Sequence, residues 1–90
     1  MTDVIDNKDH HRYQLEVDGQ LVIADYRRDG NIVQVTHVEA PVSLRGSGAA
    51  GQLMLGMVEL ARQAGDKIYP VCPYAVHWLN RHPEHNDIIA

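Results

Sequence analysis

Hydrophobic and polar positions alternate along the first half of the chain. The alternation covers residues 13–17 (YQLEV) and 21–26, as expected for strands with one buried face, and β-branched residues dominate from 32 to 38. Asp18-Gly19 separates the first two segments, and the run RDGN at 28–31 precedes the third; both sequences favour tight turns. The first half therefore predicts a three-stranded antiparallel meander.

The apolar spacing changes in the second half. Apolar residues recur every three or four positions and predict one helix over 48–64, which Gly65 would end. The segment 67–72 (KIYPVC) predicts a short strand, and Pro70 within it suggests that this strand lies at an edge or splays from its neighbour. A second, shorter helix is predicted over 74–79. The order βββαβα indicates an α/β domain with a mixed sheet.

Composition narrows the class of protein. The chain of 90 residues, 44% of them hydrophobic, suffices for one domain with a single core. No apolar run approaches the roughly 18 residues of a membrane span, so no membrane partner is expected. A net charge of −4 with scattered basic residues argues against nucleic-acid binding. Residues 1–11 are polar, lack a secretory signal and are expected to be flexible. With a single cysteine, Cys72, these features favour a cytoplasmic protein.

Three glycines, Gly46, Gly48 and Gly51, spell G-x-G-x-x-G at the start of the predicted long helix. A dinucleotide fingerprint is not supported, because it needs parallel strands, a glycine directly after a strand and an acidic residue about 20 positions later. A P-loop would require Lys-Ser/Thr where Gln52-Leu53 stand. Free N–H groups at a helix start, with Arg45 beside them, nevertheless suit an anion. The alternative is that the glycines only turn the chain and allow close packing.

A family resemblance favours the anion site. The run 45–50 (RGSGAA) resembles the Arg/Gln-x-x-Gly-x-Gly/Ala signature of the GNAT superfamily of acyl-CoA-dependent N-acetyltransferases, and it lies between a meander and a long helix, as in that family. Further similar segments are Thr36-His37 with Pro41, then 70–74 (PVCPY) and 81–84 (RHPE). Together they resemble the small single-domain GNAT-like proteins of the acetyltransf-CG type over about residues 12–89.

The resemblance implies a fold and a reaction. In GNAT proteins two strands splay and take the pantetheine arm of acetyl-CoA between them, here between residues 32–39 and 67–72. It also implies that the backbone N–H of Val38 polarises the thioester carbonyl while a primary amine attacks it directly. The diphosphate would bind on the glycine-rich turn, at Arg45, Gly46, Ser47, Gly48, Ala49 and Ala50. Acetyl-CoA is the expected cosubstrate. No metal is expected, because His82 and His85, two histidines three residues apart with no cysteine partner, make a weak ligand set.

Proton transfer in such a reaction needs a base for the amine and an acid for the CoA thiolate. His37 and Glu39, beside the splayed strands, are candidate bases, and Tyr74 is a candidate acid. Cys72 could form an acetyl-cysteine intermediate if the following helix start activates its thiol. The alternatives are that His37 is hydrogen-bonded in the sheet, that the Glu39 carboxylate is solvated and that the Tyr74 ring is only packed. For Cys72 the favoured alternative is a small buried hydrophobe.

The acceptor is left open by the sequence. Larger GNAT enzymes wall the acceptor site with helices between their first strands, and only short turns occupy those places here. A protein lysine, a protein N-terminus or a small amine such as a polyamine would fit an open cleft. Two functions of different class therefore remain, an N-acetyltransferase and a non-catalytic acyl-CoA-binding module. NAD binding through the glycine run is a third alternative.

Overall fold

A computed structural model describes residues 2–90 and shows a five-stranded sheet with two α-helices. The strands are β1 (Ile5–Asn7), β2 (Arg12–Val17), β3 (Gln20–Asp29), β4 (Ile32–Glu39) and β5 (Lys67–Pro70), and the helices are α1 (Ala49–Ala64) and α2 (Pro73–Asn80). Short 3-10 helices cover Lys8–His10, Val42–Leu44 and Pro83–Ile88.

The sheet is mixed, with the strands in the order β1-β2-β3-β4-β5. Neighbouring strands are antiparallel as far as β4, and β4 pairs in parallel with β5 after the chain has passed through α1. This architecture confirms the predicted α/β fold class. β5 ends at Pro70 instead of residue 72, because the N–H groups of Val71 and Cys72 both donate to Val35 O and the ladder stops there.

The start of the chain contains a strand that the sequence analysis does not include. Flexibility is expected over 1–11, of which Met1 lies outside the described residues, and it stays a prediction. Ile5–Asn7 form β1, which pairs with Arg12–Gln14 of β2, and Val4 is only 4% exposed. The sequence conceals this strand because it is short and mostly polar, so its pairing with β2 is a tertiary effect.

The core lies between one face of the sheet and the two helices. Period-two alternation sends one set of strand side chains towards α1, which buries its own apolar stripe against them. The buried strand residues include Tyr13, Val22, Ala24, Val33, Val35 and Ile68, and the buried helix residues include Leu53, Met54, Met57, Ala75, Trp78 and Leu79. Because α1 and α2 contact each other on this face, no described helix covers the opposite face of the sheet.

A charged network ties the sheet to the turn that follows α1. The guanidinium of Arg28 makes two hydrogen bonds to the carboxylate of Asp66, at 2.9 and 3.1 Å, and Asp66 is only 8% exposed. The hydroxyl of Tyr26 donates to Asp6 Oδ1 at 2.6 Å, which joins β1 to β3. Burial, followed by the bond to Asp6, raises the pKa of Tyr26 to about 12.

Gly56 on α1 allows the chain start to pack closely. A Cβ on this residue would lie 2.3 Å from both Thr2 Oγ1 and Val4 Cγ2. We predict that Gly56→Ala lowers the free energy of unfolding by about 1–3 kcal/mol, the usual cost of overpacking. The matched control is Gly51→Ala in the same helix, whose Cβ would meet only Trp78 Nε1 at 3.5 Å and which should not destabilise the protein. Denaturant unfolding measures both, and equal stabilities would contradict this packing.

The bond between Tyr26 and Asp6 makes stability depend on pH. We predict that Tyr26→Phe loses about 1–3 kcal/mol at pH 8, as expected for a hydrogen bond to a charged group. The pKa of Tyr26 is raised from 10.0 to about 12, so this contribution is complete below pH 10 and is lost as pH rises through 12. Unfolding of the wild type and Tyr26→Phe at pH 8, 10 and 11.5 should show a shrinking difference. The exposed Tyr69→Phe is the control, and a difference that stays constant with pH would refute the assignment.

Candidate functional site

β4 and β5 separate part-way along their length. Ile32–Val35 pair with Lys67–Pro70, and the two N–H groups that follow Pro70 both donate to Val35 O, at 2.9 and 3.0 Å. The remainder of β4, residues 36–39, pairs with no strand of the described residues on that side. The sheet therefore opens into a wedge beyond Val35, at the place where the sequence predicts a splay.

A β-bulge at Thr36 sets the direction in which the backbone N–H groups of β4 point at the opening. Asp25 lies opposite His37 and Tyr26 lies opposite Val35, so Thr36 is the additional residue of β4. The N–H of Tyr26 donates to His11 O, on the side of β3 that faces away from β4. Along a strand, successive N–H groups point to alternate sides, so the N–H of Ala24 also faces away from β4. Val38, opposite Ala24, therefore directs its N–H away from β3 and towards the wedge.

The loop before α1 presents unpaired N–H groups. Gly46 and Gly48 have φ of 81° and 87°, a left-handed conformation that favours glycine, and Gly48 is the N-cap of α1. Within the described part of the chain, the N–H groups of Gly46, Gly48, Ala50 and Gly51 have no protein acceptor. They lie at the positive end of the helix dipole, so the loop is suited to bind an anion.

One cavity of about 560 Å³ connects the wedge to this loop. Its wall contains most of the residues that the sequence singles out: His37, Val38, Glu39, Arg45, Gly46, Gly48, Ala49, Ala50 and Tyr74. Of the other wall residues, Gly51 is singled out in the sequence only as the third glycine of the run, and Ala40 and Leu44 are not singled out. Their positions in or beside the glycine-rich run are the sequence feature that could have identified them. The buried side chain of Leu44 gives the cavity an apolar wall.

The polar side chains of the cavity can exchange protons. His37 Nε2 lies 3.4 Å from Glu39 Oε1, and the two side chains are 56% and 61% exposed. Half-buried Tyr74 has a raised pKa because burial disfavours the phenolate, an effect that the charge of Arg81 opposes. Arg45 Nε donates to Ala40 O at 3.4 Å, which holds its guanidinium beside the loop. The site thus brings an imidazole, a carboxylate and a phenol with a raised pKa to one cavity.

Ser47 and Cys72 do not line the cavity. The hydroxyl of Ser47 donates to Leu44 O and accepts from the N–H of Ala49, so this side chain shapes the loop from within. Cys72 is 8% exposed and belongs to the core cluster, with its backbone at the N-cap of α2. The structure thus places this side chain in the core and outside the cavity wall.

The histidines after α2 form an aromatic stack. The rings of His82 and His85 lie parallel to the indole of Trp78, at centroid distances of 3.9 and 5.7 Å. Within residues 2–90, no group of three or more His, Cys, Asp or Glu side chains is placed to hold a metal ion. Over the same residues, no helix has the length and apolar character needed to cross a bilayer.

Comparisons with known proteins agree with this geometry. The family model described as GCN5-related N-acetyltransferase matches residues 12–88. Among solved structures, the NMR structure of a GCN5-like protein from Staphylococcus aureus is similar with a TM-score of 0.69. The sequences are 23% identical, and the similarity covers 100% of this chain and 91% of that one, so this likeness is one of fold. No curated protein matches the chain.

Proposed function

Because the chain belongs to the GCN5-related N-acetyltransferase family, we propose that it transfers an acetyl group from acetyl-CoA to a primary amine by direct attack. The observation that carries the proposal is the single cavity that joins the unpaired N–H groups before α1 to the open side of β4. This cavity offers an anion site at one end and a free strand edge at the other, as a diphosphate with a pantetheine arm requires.

The diphosphate would bind at the loop. The N–H groups of Gly46, Gly48, Ala50 and Gly51 provide several donors at a helix N-terminus. The guanidinium of Arg45 adds a charge beside them. A Cβ on Gly46 or Gly48 would meet no atom within 4 Å beyond the residue's own chain neighbours, so there is open space for a ligand at the loop.

The thioester would lie in the wedge. The N–H of Val38 points into the opening and is free to donate to the thioester carbonyl. A donor fixed in the backbone stabilises the negative charge that develops on this oxygen in the transition state, because it needs no reorganisation. Removal of one such donor in other acyl-transfer enzymes costs about 10²–10³ in rate.

Two proton transfers accompany the exchange of bonds. The amine nitrogen forms a bond to the carbonyl carbon, the carbon–sulfur bond breaks, and the amine loses a proton while the thiolate gains one. Glu39 and His37, on β4, are the proposed acceptors, and Tyr74, on α2, is the proposed donor in the same cavity. The elevated pKa of Tyr74 keeps its hydroxyl protonated until the thiolate leaves.

A second candidate function is acyl-CoA binding without turnover. It is favoured by the high exposure of His37 and Glu39 and by their long 3.4 Å contact, which leave both groups hydrated and loosely held. Both functions require affinity for acetyl-CoA, and they differ only in the release of free CoA. Binding of NAD instead would refute both, and it is tested by comparing the thermal stabilisation that each ligand produces.

Turnover separates the two candidates. We predict that the protein releases CoA thiol from acetyl-CoA when it is given a panel of amines: a polyamine, a lysine peptide and a peptide with a free N-terminus. Glu39→Gln and His37→Gln together should lower kcat about a hundredfold, as expected when general bases are lost, and leave the Kd for acetyl-CoA unchanged. Binding with no thiol release above the uncatalysed rate for any acceptor would identify a binding module.

The loop conformation should govern coenzyme affinity. We predict that Gly48→Ala raises the Kd for CoA at least tenfold, because alanine disfavours the left-handed conformation by about 1–2 kcal/mol and the loop then leaves its binding geometry. Gly30→Ala is the matched control, since Gly30 has φ of 60° in the β3–β4 turn, away from the cavity, with equally open space around it. Calorimetric titration with CoA measures both variants, and similar losses in the two would contradict a role for the loop.

A further inference from the structure

Arg81 is a cation without a partner. Arg12, Arg28 and Arg62 each lie against an aspartate, and Arg45 donates to a backbone carbonyl. Among the arginines of residues 2–90, the side chains of Arg27 and Arg81 alone make no hydrogen bond or ion pair. An unpaired, exposed guanidinium is free to bind an anionic group of a ligand.

Arg81 is the C-cap residue of α2, the helix that carries Tyr74, and it lies outside the cavity wall. Its N–H donates to His77 O and Trp78 O, so the helical path of α2 continues through this C-cap residue. Arg81 follows Tyr74 by seven residues, which places both on one stripe of the helix, and side chains on a helix lean towards its N-terminus. The charge of Arg81 acts on the Tyr74 phenol and opposes the rise that burial causes in its pKa.

The first turn of α1 meets α2 between these two residues. A Cβ on Gly51 would lie 3.5 Å from Trp78 Nε1, and Trp78 is one turn from Tyr74 in one direction and about one turn from Arg81 in the other. The first turn of α1, which follows the loop with the unpaired N–H groups, therefore meets α2 at a residue that stands between Tyr74 and Arg81 in the chain. A ligand that places its reactive end at Tyr74 and its diphosphate on the loop continues towards Arg81.

We propose that Arg81 binds the 3′-phosphate of the coenzyme's adenosine and so makes the protein selective for CoA over its 3′-dephospho form. The inference rests on the proposed use of acetyl-CoA. An arginine suits this group because its planar guanidinium can donate two parallel hydrogen bonds to a phosphate. Since the side chain is exposed, the selectivity should weaken as salt concentration rises.

The test compares two ligands on four forms of the protein. CoA and 3′-dephospho-CoA are titrated calorimetrically into the wild type, Arg81→Ala, Arg81→Lys and Arg27→Ala. The wild type and Arg27→Ala should bind CoA about tenfold more tightly than the dephospho form, a ratio typical of one charge-assisted contact. Arg81→Ala should bind both ligands equally, with the affinity of the wild type for 3′-dephospho-CoA, and Arg81→Lys should keep part of the preference.

Three results would overturn the inference. Equal binding of the two ligands by the wild type removes the selectivity, and an unchanged preference in Arg81→Ala assigns it to another residue. An equal loss for both ligands in Arg81→Ala makes the effect structural. Each of these leaves the proposed function standing because CoA still binds. Absence of CoA binding by the wild type refutes the proposed function itself, and this inference falls with it.

Discussion

The carbonyl of Val35 is the point on which the site depends. It accepts the N–H groups of both Val71 and Cys72, and this shared acceptor ends the β4–β5 ladder. The missing N–H of Pro70 does not end the ladder, because its neighbour Val71 donates to β4 and Pro70 therefore faces the outer edge of β5. Beyond this point the free side of β4 offers backbone groups that water or a ligand must satisfy, since an unpaired buried amide is costly. The gap is therefore built by the hydrogen-bond pattern, and no large insertion is required to create it.

The other end of the same pair of strands is firmly closed. The N–H of Lys67 donates to Asn31 O at 2.8 Å, and the Asn31 amide reaches Gly65 O at 3.4 Å. The buried Asp66 is held there by Arg28. Because β4 and β5 are fixed at this end and separated at the other, the width of the wedge is set by secondary structure. The proposed ligand site thus needs no ion pair of its own to remain open.

Some parts of this structure can be predicted from the sequence and others cannot, for physical reasons. The 3.6-residue period of α1 and the alternation in the meander depend on local side-chain pattern, and both elements form where the pattern indicates. The glycine-rich run also shows its conformation locally, because Gly46 and Gly48 occupy backbone angles that other residues avoid. The bulge at Thr36 leaves no comparable trace, since it arises from the register between β3 and β4.

Side-chain placement was predictable only where it follows from the strand or loop. His37, Glu39 and Arg45 reach the cavity because their own backbone segments form its wall. Cys72 stands two residues before Tyr74, yet the core encloses Cys72 while Tyr74 lines the cavity. Sequence proximity could not separate these two, because burial at the start of α2 depends on how the helix packs against α1 and the sheet.

No described helix covers the face of the sheet opposite α1 and α2, so the rate of the proposed reaction should depend on the size of the acceptor. His37 and Glu39 project from the opening with more than half of each side chain exposed, and no described helix shields them. In water, the electrostatic interactions between a base, an amine and a developing oxyanion are weak, and they strengthen when solvent is excluded. Since no described element forms a wall there, the acceptor of the proposed reaction would have to exclude the water. A protein surface does this over a larger area than a free amine, so a macromolecular acceptor would give the same residues more catalytic effect.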